Sequence, residues 1–159
     1  MNYIVRKTEI DGMEGLAKTH FLNENAKRVN KSLGDLVGLS GLGFHIIEVK
    51  PGHESTEYHV HSHEDECVYV LDGTATVTID EVDYEVGAGD FIGYPAGGLP
   101  HTMKNTGAEL LRCIVVGQRL PFDMGDYPRL KKRIFRYNGV GDVVNLEHVQ
   151  NPKNIGKKA

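Results

Sequence analysis

A stretch over residues 51–73 contains four of the chain's eight histidines and four glutamates, and it includes two predicted strands. Residues 58–61 can form a short strand. Residues 66–71 predict a second one, because they are rich in β-branched and aromatic side chains. Asp72 and Gly73 predict a tight turn after it, since glycine tolerates a positive φ angle. The polar segment between the strands favours a hairpin.

The histidines in this stretch alternate in a way that suits metal binding. On a strand, His59 and His61 would leave the same face, about 6.6 Å apart along the backbone. The predicted hairpin would bring Glu66 beside His61, and two imidazoles with one carboxylate can hold a metal ion. The pair His61 and His63 has the same spacing, so the residues alone leave the register open.

A second polar segment, residues 89–105, offers a further ligand. It consists of a turn, a short strand, a turn rich in proline and glycine, and a strand that begins at His101. His101 and Met103 would share one face of that last strand, and Lys104 would lie on the other.

These two segments resemble the paired motifs of the cupin superfamily. The first motif is matched by Gly52, His59, His61, Glu66 and Gly73, and the second by Gly89, Pro95, Gly97, His101 and Asn105. Each match has one extra residue, which falls in a loop. The resemblance is specific over about residues 43–117. Residues 33–35 and 116–119 are also similar to the borders of a group of small single-domain bacterial cupins.

The resemblance implies an all-β, double-stranded β-helix of the jelly-roll type, also described as a cupin barrel. It implies a divalent metal ion held by His59, His61, Glu66 and His101, and this register prefers His59 over His63. We expect one domain over residues 1–159, with a barrel core at 43–117, an N-terminal arm at 1–32 and a C-terminal extension at 118–159.

Composition agrees with a single globular domain. The chain has 159 residues, of which 40% are hydrophobic, and 19 glycines, which suit turns between short strands. The net charge of −4 argues against nucleic acid as a partner.

We expect no membrane partner, a cytoplasmic location and a homodimer that buries the apolar residues of the arm and the tail. Cys67 and Cys113 lie in strand patterns and are expected to be reduced thiols.

Other segments give weaker predictions. Residues 13–29 have a patchy helical pattern that Asn23 and Asn25 weaken, residues 121–128 resemble a loop, and residues 130–137 form a basic cluster expected at a solvated strand or helix end. Residues 139–149 could add a strand. His20 and His148 lie outside the motifs and are interpreted as surface or packing residues.

Strand parity predicts which side chains line the barrel interior. The apolar members are Val68, Val70, Ala75, Val77 and Met103. We predict a substrate pocket that includes His45 and Met103, although a lone strand histidine such as His45 is more often a packing residue. His63 would lie at the rim, and His53 could edge the pocket mouth.

The predicted ligand set suits Zn, Fe, Mn or Ni, and also Cu, and the lack of a thiolate ligand disfavours a structural zinc site. We expect a metal-dependent enzyme acting on a small polar metabolite, such as an isomerase of a sugar or sugar phosphate. The alternatives are an Fe(II)-dependent dioxygenase and a non-catalytic cupin that binds or senses a small molecule. The sequence does not identify a catalytic base.

Overall fold

The computed structural model describes residues 3–150 and 152, and β-strands dominate them. The strands are β1 (Leu16–His20), β2 (Asn23–Ser32), β3 (Leu42–Val49), β4 (Val60–His61), β5 (Glu66–Asp72), β6 (Thr74–Ile79), β7 (Val82–Gly87), β8 (Phe91–Tyr94), β9 (His101–Lys104), β10 (Leu111–Gln118), β11 (Phe122–Tyr127), β12 (Lys132–Tyr137) and β13 (Val140–Asn145). The helices are α1 (Lys7–Asp11) and α2 (Leu33–Leu36), with 3₁₀ turns at Pro128–Leu130 and Leu146–His148.

The strands form antiparallel sheets that face one another. One sheet has the order β1-β2-β3-β10-β5-β8. Two smaller sheets, β13-β12-β11-β4 and β7-β6-β9, are joined by an antiparallel bridge between His59 and His101. This arrangement confirms the predicted all-β jelly roll.

Apolar side chains from both sides fill the space between the sheets. Val68 and Val70 of β5 are 3% and 0% exposed, whereas Tyr69 between them is 43% exposed. Ala75 and Val77 of β6 show the same alternation. The predicted inner face is therefore confirmed, and each fully buried valine contributes about 1.5–3 kcal/mol through the hydrophobic effect.

Two turns follow the chemistry of their residues. Gly73 has a φ of 85°, and a Cβ atom there would lie 2.9 Å from the Leu110 carbonyl oxygen, so both conformation and space require glycine. The hairpin of β6 and β7 turns at Asp80 and Glu81, which adopt φ angles of 49° and 63°. Aspartate tolerates such angles better than β-branched residues do.

The N-terminal segment is built of strands, so the patchy helical pattern at 13–29 was misleading. β1 and β2 pair with each other, and β2 continues the large sheet by pairing with β3. The weak helix propensity of the asparagines is consistent with this outcome. The short helix α2 follows β2 directly, and β3 starts at Leu42.

The C-terminal extension also differs from expectation. Residues 121–128, predicted as a loop, contain strand β11, which pairs with both β12 and β4. Burial alternates along this strand, with Asp123, Gly125 and Tyr127 buried. Because these buried residues are not all apolar, hydrophobic periodicity does not reveal the strand. The basic cluster forms β12, and β13 confirms the expected final strand. None of the described helices is long and apolar enough to cross a membrane.

Candidate metal centre

A cavity of about 310 Å³ lies between the sheets, and its size suits a small metabolite. Its walls include all four predicted ligands, His59, His61, Glu66 and His101. They also include His45 and Met103, the two residues predicted for the substrate pocket.

The bridge between the two smaller sheets positions His59 and His101. The backbone N–H of His59 donates to the His101 carbonyl at 3.0 Å, and the His101 N–H donates back at 2.8 Å. Directly opposed residues of an antiparallel pair place their side chains side by side. The two imidazole rings are accordingly 4.7 Å apart between centroids.

His61 joins them from the same segment. Its Nε2 atom lies 3.2 Å from the Nε2 atom of His59, as the alternate spacing along the chain predicts. Two ring nitrogens this close direct their lone pairs or protons at one another, which is unfavourable. A cation bound by both nitrogens would remove this repulsion.

The Nδ1 atoms of these histidines each face an oxygen acceptor. His59 Nδ1 lies 2.8 Å from the Glu57 carbonyl, and His101 Nδ1 lies 3.2 Å from the Leu99 carbonyl. A carbonyl can only accept, so each neutral ring carries its proton on Nδ1 and leaves the Nε2 lone pair free. His101 Nε2 is buried and has no hydrogen-bond partner among the described residues. These features fit metal ligands, whose second nitrogen usually donates to an oxygen.

Glu66 joins His59 and His101, although not through the predicted hairpin. The ligand atoms of His59, Glu66 and His101 all lie within 4.8 Å of one another. β4 pairs with β11 rather than with β5, so Glu66 reaches the site from the opposite sheet. Glu66 meets the histidines because two sheets face each other. The hairpin prediction was therefore wrong.

Burial tunes the protonation of these groups. It lowers the pKa of His101 to about 4 and holds that of His59 well below its ordinary value, and the neighbouring histidines act in the same direction. Burial also raises the pKa of Glu66, because a charged group loses solvation there. Without a cation, the rings of His59 and His101 are therefore neutral at pH 7, which is the form that binds metal.

Charged side chains lie around His61, and two of them, Asp123 and Arg136, come from the C-terminal extension. His61 Nδ1 donates to Asp123 Oδ2 at 2.7 Å, and Arg136 pairs with both Asp123 and Glu64. Ligand atoms of His61, Glu64 and Asp123 also lie within 4.8 Å of one another. Since Arg136 already pairs with both carboxylates, this group is better suited to orienting His61 than to holding another cation.

Sequence reasoning missed Asp123 and Tyr127 because it placed residues 121–128 in a loop, and it missed Arg136 because it interpreted the basic cluster at 130–137 as solvated. Tyr127 lines the cavity, and its ring centroid is 6.3 Å from that of His59. Burial raises the pKa of Tyr127 to about 12, so its hydroxyl stays protonated at neutral pH. The alternation of inward-facing Asp123, Gly125 and Tyr127 was the signal that could have identified this strand.

The other histidines fall into distinct environments. His20, interpreted from sequence as a surface or packing residue, lines the cavity and stacks on Phe21. His63 is exposed and contacts Phe122, as expected for a rim residue. His53 bonds Asn25 and is not part of the cavity wall. Among the described residues, both cysteines are free, with Cys113 buried and Cys67 partly so.

An aromatic ring fixes the orientation of His101. Tyr94 stacks on the imidazole with 3.5 Å between centroids and an angle of 2° between the planes. Tyr94 is only 6% exposed, and burial raises its pKa, so it remains neutral. The stacked ring limits rotation of His101 and presents its Nε2 atom to the other ligands.

Comparison with known proteins agrees with this geometry. The profile of the cupin domain family matches residues 45–117. The structure of a protein from Acidithiobacillus ferrooxidans, named "Putative sugar phosphate isomerase", is 46% identical, with a TM-score of 0.92 over 95% of this chain and 97% of that one. A cupin superfamily protein from Silicibacter pomeroyi, named a sugar phosphate isomerase, is 23% identical, with a TM-score of 0.78 over 91% and 96% of the two chains.

A comparison with curated protein sequences gives no match. The fold, the two histidine motifs and the relative at 46% identity nevertheless agree with one another. The chain therefore belongs to the cupin superfamily.

Proposed function

We propose that this protein is a metal-dependent isomerase of a sugar or sugar phosphate. The observation that carries the proposal is its 46% identity, over nearly the full length of both chains, to the Acidithiobacillus ferrooxidans protein named "Putative sugar phosphate isomerase". The cavity supports it with the four predicted metal ligands in its wall and a volume suited to a small metabolite.

The metal would be held by the Nε2 atoms of His59, His61 and His101 and by the Glu66 carboxylate. A bound divalent ion such as Zn, Fe, Mn or Ni supplies Lewis acidity toward the carbonyl and hydroxyl oxygens of a substrate. Ile47, Val68 and Met103 give the same cavity an apolar wall. This wall excludes bulk water and strengthens electrostatic interactions within the site.

We assign His45 the role of a hydrogen-bond donor that polarises an oxygen of the substrate. Its Nδ1 atom lies 3.1 Å from the Asn30 side-chain nitrogen, which can only donate a hydrogen bond. The neutral ring therefore carries its proton on Nε2, where it can donate a hydrogen bond to an oxygen of the substrate. Burial lowers the pKa of His45, which favours this neutral form.

The test combines metal loading with isotope exchange. The chelator-treated protein is loaded separately with Fe(II), Mn(II), Zn(II) or Ni(II) and incubated in D₂O with a panel of aldose and ketose phosphates. We expect metal-dependent deuterium incorporation next to the carbonyl, followed by conversion between aldose and ketose, both measured by NMR. His101→Ala should abolish exchange and His63→Ala should keep it.

The other outcomes lead to the alternative functions. Oxygen uptake that requires Fe(II), with no deuterium exchange under any metal, would contradict isomerisation and support a dioxygenase. Saturable sugar phosphate binding without exchange or oxygen uptake would instead support a cupin that senses a small molecule. His45→Gln should lower the exchange rate without lowering metal content.

A further inference from the structure

Three of the described arginines line the cavity, and two of them pair with a carboxylate. Arg119 pairs with Asp35 at 2.5 Å, and Arg136 pairs with Glu64. Arg28, which extends from β2, forms no ion pair in the part of the chain that the structure describes. An unpaired guanidinium inside a cavity is expensive unless a ligand compensates it.

The hydrogen bonds of Arg28 are also incomplete. Nη1 donates to the Ser55 carbonyl at 2.6 Å, which fixes the direction of the side chain. Its Nε atom is enclosed and has no partner among residues 3–150 and 152. A guanidinium has five N–H donors in a planar fork, so this one retains donors for an oxygen-rich anion.

The negative potential of Glu66 does not replace such an anion. Burial lowers the pKa of Arg28, and the field of Glu66 opposes that effect only as the second influence. Glu66 is also the carboxylate of the predicted metal set. When Glu66 binds a metal ion, the cation offsets the charge of this carboxylate, which then no longer balances the charge of Arg28.

Arg28 also lines a second cavity. It measures about 210 Å³ and is lined on its outer side by Lys18 and Thr19. Arg28, His20 and Ser55 belong to the walls of both cavities. A ligand with one end at the metal ligands can therefore extend toward Arg28, where Lys18 adds positive charge.

We propose that Arg28 binds the anionic group of the substrate, namely the phosphate of a sugar phosphate. The choice of phosphate rests on the proposed function, whereas the anion site rests on the unpaired guanidinium. Phosphate oxygens match the planar fork of arginine and form strong charge-assisted hydrogen bonds. Arg28 thereby selects phosphorylated over unphosphorylated sugars.

Inorganic phosphate is a suitable probe, because its binding needs no turnover. Calorimetric titrations compare wild type, Arg28→Gln and Arg112→Gln, each metal-free and each loaded with Zn(II). Arg112 pairs with Asp72 and Glu48 outside the cavity, so its variant makes the same change of charge elsewhere. We expect Arg28→Gln to weaken phosphate binding about 10- to 100-fold in both states and Arg112→Gln to leave it unchanged.

A measurement on the wild-type chain guards against a misfolded variant. With arginine side chains labelled with ¹⁵N, the Nε–H signal of Arg28, assigned by its loss in Arg28→Lys, should shift on titration with phosphate and saturate. Absence of saturable phosphate binding, or saturation with no shift of that signal, would overturn the proposal. Acetate causing the same shift at equal concentration would overturn the choice of phosphate.

These results separate the two proposals. Loss of phosphate binding in Arg28→Gln supports the anion site even if no sugar phosphate is isomerised. Isomerisation with equal KM values in wild type and Arg28→Gln would refute the role of Arg28 and leave the proposed function intact.

Discussion

Asp123 and His61 lie 62 positions apart, yet their side chains share a hydrogen bond of 2.7 Å. Asp123 is only 2% exposed, and it also accepts the backbone N–H of His63 at 2.9 Å. The carboxylate thus fixes both the ring orientation of His61 and the turn that follows it. A ligand held in this manner loses less conformational freedom when a metal binds.

Asp123→Asn should weaken metal binding about 10- to 100-fold, because the amide keeps the shape but loses the charge that supports His61. Competition with a chelator of known affinity measures this change. Asp126→Asn is the control, since Asp126 lies on the same strand but pairs with Arg133. Equal affinities for wild type and Asp123→Asn would show that the hydrogen bond does not support the site.

His101→Ala and Glu66→Ala should each lower the bound metal sharply while the far-UV circular dichroism remains that of a β-protein. Each change removes a donor, and Glu66→Ala also removes the only carboxylate of the predicted set. Metal content is measured by elemental analysis after dialysis. If His63→Ala empties the site and His59→Ala does not, the ligand register is wrong by two residues.

The stability of the metal-free protein should fall with acidification. The folded pKa of His101 is about 4, below the ordinary value of 6.5, so the unfolded chain takes up the proton first. The contribution is complete above pH 6.5 and is lost as the pH falls toward 4. Between pH 7 and pH 5 His101 alone removes about 2 kcal/mol from the free energy of unfolding.

Urea unfolding at several pH values measures this effect. Glu66, whose pKa burial raises, has the opposite pH dependence, so the informative quantity is the difference between wild type and His101→Gln. The variant cannot titrate at this position and should lose less stability on acidification. Parallel curves for the two proteins would contradict a buried neutral His101.

Gly73→Ala should destabilise the fold by roughly 3 kcal/mol, since the new Cβ combines backbone strain with a clash against Leu110. Gly52→Ala isolates the strain, because Gly52 has a φ of 81° and no atom of the described residues lies within 4 Å of the added Cβ. We expect a cost of about 1 kcal/mol there. Equal midpoints in thermal unfolding for the two variants would argue against the clash.

A homodimer is expected in solution. Leu16 and Phe21, in and beside the N-terminal strands, are 62% and 61% exposed, and their burial against a second copy would remove apolar surface from water. Light scattering at micromolar concentration should give twice the mass of 17.6 kDa. A monomeric mass that persists at higher concentration would contradict this expectation.

Sequence patterns predicted the inner face of the barrel because apolar and polar residues alternate there, as in Val68, Tyr69 and Val70. The spacing of the two motifs also predicted that four residues meet in one cavity, whose walls include His59, His61, Glu66 and His101. The four-residue metal assignment itself stays a prediction.

Patterns of hydrophobicity failed where polar residues point inward. Asp123 is buried because it bonds His61, and no apolar period marks its strand. Arg28 is missed for a similar reason, since strand β2 is polar and its pairing with β3 depends on distant residues. The pairing of β4 with β11 likewise depends on contacts more than 60 positions apart, which local spacing does not encode.

The contact of Arg136 with Glu64 and Asp123 has a consequence for how this domain can be divided. Residues 45–117 contain every predicted ligand and the whole family match, yet Asp123, Arg136 and Arg28 lie outside them. A graft of that segment into another barrel would transfer the four donor side chains without the groups that aim His61 or receive an anion. The smallest transplantable unit of this site therefore extends from β2 through β12.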